Sequence, residues 1–84
     1  MAKAPKNPLT DLTAYRKLRG ENQTEFWTRF GVTQSGGSRY ESGRDLPTST
    51  AMLILAFANG VVDDMQLVSL RKKVSSNLNK KEMN

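Results

Sequence analysis

An all-α fold of five helices is predicted by three observations. Apolar residues recur at helical spacing rather than in strict alternation. Each periodic segment is preceded by Thr, Asn or Asp and followed by Gly or a polar stretch, the punctuation of capped helices. The longest uncharged apolar run, Ala51 to Ala58, contains three alanines. With 84 residues the chain has room for one small domain, and a hydrophobic fraction of 37% suffices for a single core.

Met1 to Pro8 is rich in Pro and Lys without periodicity, so residues 1–8 are expected to form a flexible basic arm. From Leu9 onward, Leu12, Tyr15 and Leu18 recur every three residues and place a first helix at about Thr10 to Arg19, capped by Thr10 and stopped at Gly20. Asn22-Gln23-Thr24-Glu25 is a cap followed three residues later by an acid; it opens a second helix that carries Phe26, Trp27 and Phe30 and ends at Gly31. Thr33 caps a third, from Gln34 to about Ser42, closed by Gly43. Pro47 keeps Leu46 out of helical dihedrals, and Thr48 caps a fourth that ends at Asn59-Gly60. Its apolar run fits a buried strand or a buried helix by period, and the alanines, the cap and the terminal Asn-Gly favour helix. Asp63 with Gln66 starts the fifth, where Leu67, Leu70, Val74 and Leu78 follow at spacings of three, four and four. The folded domain is thus expected over 9–79, with a helix-turn-helix at about 23–42 and a frayed polar tail at 80–84.

Composition excludes several chemistries. The chain has no cysteine, so disulfides and thiolate metal sites are ruled out. It has no histidine either, which removes the commonest general base and the commonest neutral metal ligand. No acid–base pair or nucleophile stands out, and we expect no enzyme, cofactor or metal. The apolar run is far short of the roughly 20 residues of a membrane span, and the basic N-terminus lacks the apolar stretch of a secretory signal. A cytoplasmic protein without membrane attachment is expected. Charge is uneven: residues 1–44 hold eight basic and four acidic side chains, residues 45–70 only three acidic ones, and residues 71–84 five basic and one acidic. Two basic ends around an acidic middle, within a net charge of +5, make nucleic acid the first candidate partner.

A short helix, a Gly-Val-Thr turn and a second helix form a helix-turn-helix, in which Gly31 supplies the left-handed backbone of the turn. The residues Gln23-Thr24-Glu25-Phe26, Phe30-Gly31-Val32-Thr33-Gln34-Ser35, Ser38-Arg39-Tyr40-Glu41-Ser42-Gly43-Arg44 and Pro47-Thr48 together resemble the lambdoid phage repressor and Cro-type (XRE) helix-turn-helix family. The resemblance covers about residues 12–68. It implies a compact lambda-repressor-like domain whose third helix enters the major groove of double-stranded DNA. The function it implies is a prokaryotic or phage transcriptional regulator, a repressor that binds an inverted-repeat operator as a homodimer.

Gln34 and Ser35 at the start of the third helix, with Ser38 and Arg39 one turn on, are then the base readers. A Gln amide can bond adenine N6 and N7 together, and an Arg fork can bond guanine O6 and N7. Gln23 matches the family position that bonds a phosphate, Thr33 and Arg44 flank the recognition helix to hold backbone, and Arg16, Lys17 and Arg19 add less specific charge. Glu41 would be repelled by phosphate, so a structural role beside a nearby arginine is expected.

Two positions depart from the family pattern. Trp27 stands where a small residue is usual and Gly37 where a branched one is usual, at sites that face each other across the helix crossing. We expect the indole to fill the space that Gly37 leaves, and Gly36 to let the backbone approach the groove closely. Ile54, often polar in relatives, and the stripe Leu67, Leu70, Val74 and Leu78 are expected to form a dimer interface. Alternatives are an antitoxin or restriction-modification controller that regulates its own operon alongside a toxin or other protein partner, and a protein-interaction module that has lost DNA readout. Retention of Gln23, Gln34, Arg39 and Arg44 argues against that loss. RNA recognition would call for an aromatic platform on a sheet or a Gly-x-x-Gly clamp, and the sequence offers neither.

Overall fold

Side-chain caps set the starts of four of the five α-helices among the described residues. A computed structural model describes residues 7–82, with side chains through residue 77. A 3-10 turn, Pro8–Thr10, leads into α1 (Leu12–Leu18), α2 (Gln23–Thr28), α3 (Gln34–Glu41), α4 (Thr48–Ala58) and α5 (Asp64–Glu82). The fold is all-α, as expected. Asn22 and Glu25 form a reciprocal capping box, with bonds of 2.8 and 2.9 Å. Asp63 and Gln66 repeat that pair at α5, both bonds being 2.8 Å. Thr33 caps α3 by accepting from the Gly36 N–H at 3.1 Å. Such caps satisfy backbone donors that have no partner within the helix.

Two expected caps fall elsewhere. Asp11, not Thr10, caps α1, through its carboxylate and the Ala14 N–H at 3.0 Å. Asn7 organises the preceding 3-10 turn, so Thr10 is spent inside it. At α4, Thr48 is the first helical residue, and Pro47 precedes it with no side-chain cap bond. The expected basic arm also ends earlier than position 8, because Pro8 is buried; its remainder, residues 1–6, lies outside the described residues. At the other end, the α5 backbone runs on to Glu82, into the expected polar tail.

The core is aromatic. Leu12, Tyr15, Phe26, Trp27, Phe30, Ile54 and Leu67 are buried together. Phe26 meets Tyr15, Trp27 and Phe30 edge to face at 5.9, 5.2 and 5.3 Å, the arrangement that aromatic quadrupoles favour. Leu18 is left 43% exposed. Three helical residues turn the chain by about 300°, so a strict three-residue spacing drifts roughly 60° per step and has left the buried face by its third member. Ile54 and Leu67 correct the expected dimer surface: they are 0% and 4% exposed and belong to the core of the single chain. Ile54 lies at the middle of α4 and Leu67 in the first turn of α5, where the two helices close over α1 and α2. Of the same stripe, Leu70 and Val74 are exposed, and the Leu78 side chain lies outside the described residues.

Trp27 and Gly37 meet as the sequence predicts. The indole is fully buried, and a Cβ built on Gly37 would lie 2.1 Å from its Cγ and 2.2 Å from its Cδ1. No side chain can occupy position 37 while the indole is there. A Cβ on Gly36 would face the turn, 3.2 Å from both Thr33 Oγ1 and Val32 Cγ1. The space that it spares is therefore internal.

Trp27→Ala should cost roughly 3–5 kcal/mol, a large share of the stability of so small a domain. Gly37→Ile should be severely destabilising alone and should recover stability once position 27 is Ala. Chemical denaturation of the singles and the double should then show a favourable coupling of over about 0.5 kcal/mol; additive effects would contradict the packing.

Candidate nucleic-acid interface

The turn between α2 and α3 is short because Gly31 takes a φ of +78°, which a residue with a side chain rarely adopts. The Val32 N–H returns to the Trp27 carbonyl at 3.0 Å and closes the turn. α3 buries Gly37 against the indole and half-buries Ser38, Tyr40 and Glu41, so Gln34, Ser35 and Arg39 are left on its exposed side. The structure thus brings the expected readers Gln34, Ser35, Ser38 and Arg39 together on one short helix. Thr33 stands at its start, with the hydroxyl engaged as the cap, and Arg44 lies exposed just beyond its end.

Gln23, at the first position of α2, lies beside these readers. Its Oε1 accepts from Gln34 Nε2 at 2.6 Å, and its own Nε2 donates to Glu41 Oε1 at 3.3 Å. Lys17 is exposed on α1. Arg19 is not gathered with the α3 side chains: its guanidinium lies 4.5 Å from the centre of the Phe57 ring and 3.2 Å from Glu21. Arg29 covers the same ring at 4.7 Å, binds both Glu21 oxygens at 2.7 and 2.6 Å, and pairs with Asp64 at the start of α5. This cluster fastens α5 to the helix-turn-helix. The two hydrogen bonds from Arg29 hold the Glu21 carboxyl below its ordinary value against the opposing effect of burial.

Glu41 pairs with an arginine, as its position suggests, and does more than that. Its carboxylate accepts from Arg16 Nε at 2.8 Å and Nη2 at 3.0 Å, from Trp27 Nε1 at 2.7 Å, from Thr13 Oγ1 at 2.9 Å and from Gln23. The Glu41 side chain is only 5% exposed and that of Arg16 only 11%. Arg16 therefore differs from Lys17 and Arg19, with which its charge was grouped: it is an internal partner. The available signal was helical spacing, since Thr13 and Arg16 lie three apart and Gln23 and Trp27 four apart, so each pair shares a face. Burial pushes the Glu41 carboxyl up, but the bonds from Arg16, Trp27, Gln23 and Thr13 outweigh it and hold the group at about 2.

A buried scaffold of aromatic rings and one carboxylate that presents amide, hydroxyl and guanidinium groups on a short second helix is the geometry of a helix-turn-helix DNA-binding domain. The chain belongs to the RsaL-like helix-turn-helix domain family, whose model matches residues 13–55. It is similar to a solved structure of the quorum-sensing repressor RsaL of Pseudomonas aeruginosa, with 42% identity over 80% of this chain and 98% of that one, at a TM-score of 0.69. No curated protein sequence matches it. Among the described residues no helix is long and apolar enough to cross a membrane.

The sign of the Glu41 shift sets a pH dependence. A carboxyl held at about 2 in the folded chain against an ordinary 4.5 binds fewer protons folded than unfolded, so its contribution is complete above about pH 5 and is lost as pH falls toward 2. That share is on the order of 3 kcal/mol. Urea unfolding of the wild type should show this loss, whereas Glu41→Gln should be less stable at pH 7 and have a shallower acid limb. A Glu41→Gln limb as steep as the wild type's would contradict the assignment.

Proposed function

We propose that this domain is a sequence-specific double-stranded DNA-binding transcriptional repressor that lays α3 in the major groove. The observation that carries this reading is the exposed face of α3, where Gln34, Ser35 and Arg39 stand together while the opposite face is locked on Trp27. Gln34 and Arg39, with Ser35 and Ser38, are the base readers; Gln23, Thr33, Arg44 and Lys17 hold phosphates. The likeness to RsaL, a repressor, supports the regulatory role. The lambdoid pattern of the sequence supports the same docking, and a site of action on DNA in the cytoplasm follows from it.

Within the same proposal the protein acts as a homodimer on an inverted repeat. One domain of this size covers only about half a turn of duplex, and two copies reach half-sites about 10 base pairs apart on one face. The supporting surface is narrower than the sequence suggests. It comprises Leu53 on α4 with Leu70 and Val74 on α5, which are 36%, 47% and 54% exposed and line one apolar groove.

Arg39→Ala and Gln34→Ala should each cost about 1–3 kcal/mol at one base position, whereas Arg44→Ala should weaken all duplexes alike and lower the salt slope by about one. Titrations against cognate and scrambled duplexes at several salt concentrations separate the two behaviours; equal losses on both duplexes for Arg39→Ala would remove it from the readers. Sedimentation equilibrium should show a dimer in the wild type and a monomer after Leu70→Asp with Val74→Asp. A wild type that stays monomeric and binds a single half-site as tightly as the palindrome would overturn the dimer.

A further inference from the structure

Glu41 stands off the exposed face of α3, yet its hydrogen bonds reach a base reader in two steps. Glu41 Oε1 accepts from Gln23 Nε2 at 3.3 Å, and Gln23 Oε1 accepts from Gln34 Nε2 at 2.6 Å. A carboxamide has nearly the same shape in either orientation, so its hydrogen-bond partners decide which end is oxygen and which nitrogen. An ionised carboxylate can only accept. The first member of this relay therefore dictates the orientation of every member after it.

We infer that Glu41 is a positioning residue that fixes the donor–acceptor polarity of Gln34 and thereby makes adenine the base that Gln34 reads. The inference rests on the DNA-reading role proposed above. Facing an acceptor, Gln23 must turn its nitrogen inward, which leaves its oxygen toward α3. Gln34 can meet that oxygen only with its own nitrogen. Its head group then offers outward one N–H and one carbonyl oxygen, the complement of adenine N6 and N7. With the relay reversed, the Gln34 oxygen would be occupied and both N–H groups would face outward, a match for the two acceptors of guanine, O6 and N7. The other partners of Glu41 hold it in the accepting state: Arg16 and the Trp27 indole have no acceptor to offer, so they cannot satisfy a donor in its place.

Glu41→Gln tests this directly, because glutamine keeps the shape but can donate, so Gln23 is free to turn over. Gln23→Leu breaks the relay while leaving the carboxylate its bonds from Arg16, Trp27 and Thr13, and it serves should Glu41→Gln fail to fold. The base under Gln34 is the position at which Gln34→Ala abolishes discrimination. Duplexes that differ there only as adenine or guanine are titrated at one salt concentration, with a third duplex altered at the position sensitive to Arg39→Ala as internal reference. A bidentate amide–adenine contact discriminates by roughly 5- to 150-fold, and the wild type should fall in that range. In both variants the adenine-to-guanine ratio should collapse to a few-fold while the preference at the reference position persists.

Retention of the full adenine preference by a folded Glu41→Gln, or by Gln23→Leu, would overturn the inference. So would a wild-type preference for guanine there, or a variant that loses affinity equally on every duplex. A wild type with no base preference at any position would instead overturn the DNA-reading function.

Discussion

The Glu41 carboxylate accepts hydrogen bonds from Thr13 and Arg16 on α1 and from Gln23 and Trp27 on α2, so the last turn of α3 is tied to both neighbouring helices at once. A charge with so little exposure costs several kcal/mol to desolvate, and that cost is offset only if every partner arrives in register. An apolar residue of similar volume could stabilise such a site as well or better. What the carboxylate adds is directional: an apolar contact tolerates sliding and rotation, whereas five donors converging on two oxygens do not. The angle at which α3 is presented is thus fixed by chemistry buried behind it.

Trp27 and Gly37 belong to the same constraint. The indole that reaches Glu41 with its N–H at 2.7 Å occupies the space beside Gly37 in which a Cβ would be 2.1 Å from its Cγ. Removing the side chain at position 37 and adding a large one at position 27 moves core volume from α3 to α2 and brings a hydrogen-bond donor with it. Glycine inside a helix costs about 1 kcal/mol relative to alanine. The aromatic burial on the facing helix offsets that cost, and the domain keeps a thin recognition helix seated on a thick support.

Much of this was legible in sequence where cause and effect lie within one turn. The pairs Asn22 with Glu25 and Asp63 with Gln66 cap as read, because a capping box is closed by residues three apart. The Trp27–Gly37 exchange was legible as two departures at facing positions. The three basic residues of α1 and its end were not separable, since Arg16, Lys17 and Arg19 differ in what approaches them from elsewhere in the chain. Arg16 meets Glu41 across 25 positions, and the Arg29–Asp64 contact spans 35. Ile54 and Leu67 were misassigned for the same reason: an apolar residue on a helix face looks alike whether its partner is the same chain or a second copy.

The division of charge bears on how such a domain can bind. Among the described residues the ion pairs are made by Arg16, Arg19 and Arg29 with Glu41, Glu21 and Asp64. Among the described residues this leaves Lys17, Arg39 and Arg44 exposed on the helix-turn-helix side, beside neutral amides and hydroxyls. Each phosphate contact adds about 0.9 to the salt slope of a DNA-binding protein, so exposed cations of this kind set the sequence-independent part of its hold. Neutral amides and hydroxyls favour discrimination over adhesion, because a misplaced amide leaves groups unpaired without attracting the backbone. The apolar groove of Leu53, Leu70 and Val74 also takes in Arg29, Phe30 and Gly31 at the α2–α3 turn, so the homodimer proposed above would set its contact beside the helix-turn-helix rather than apart from it.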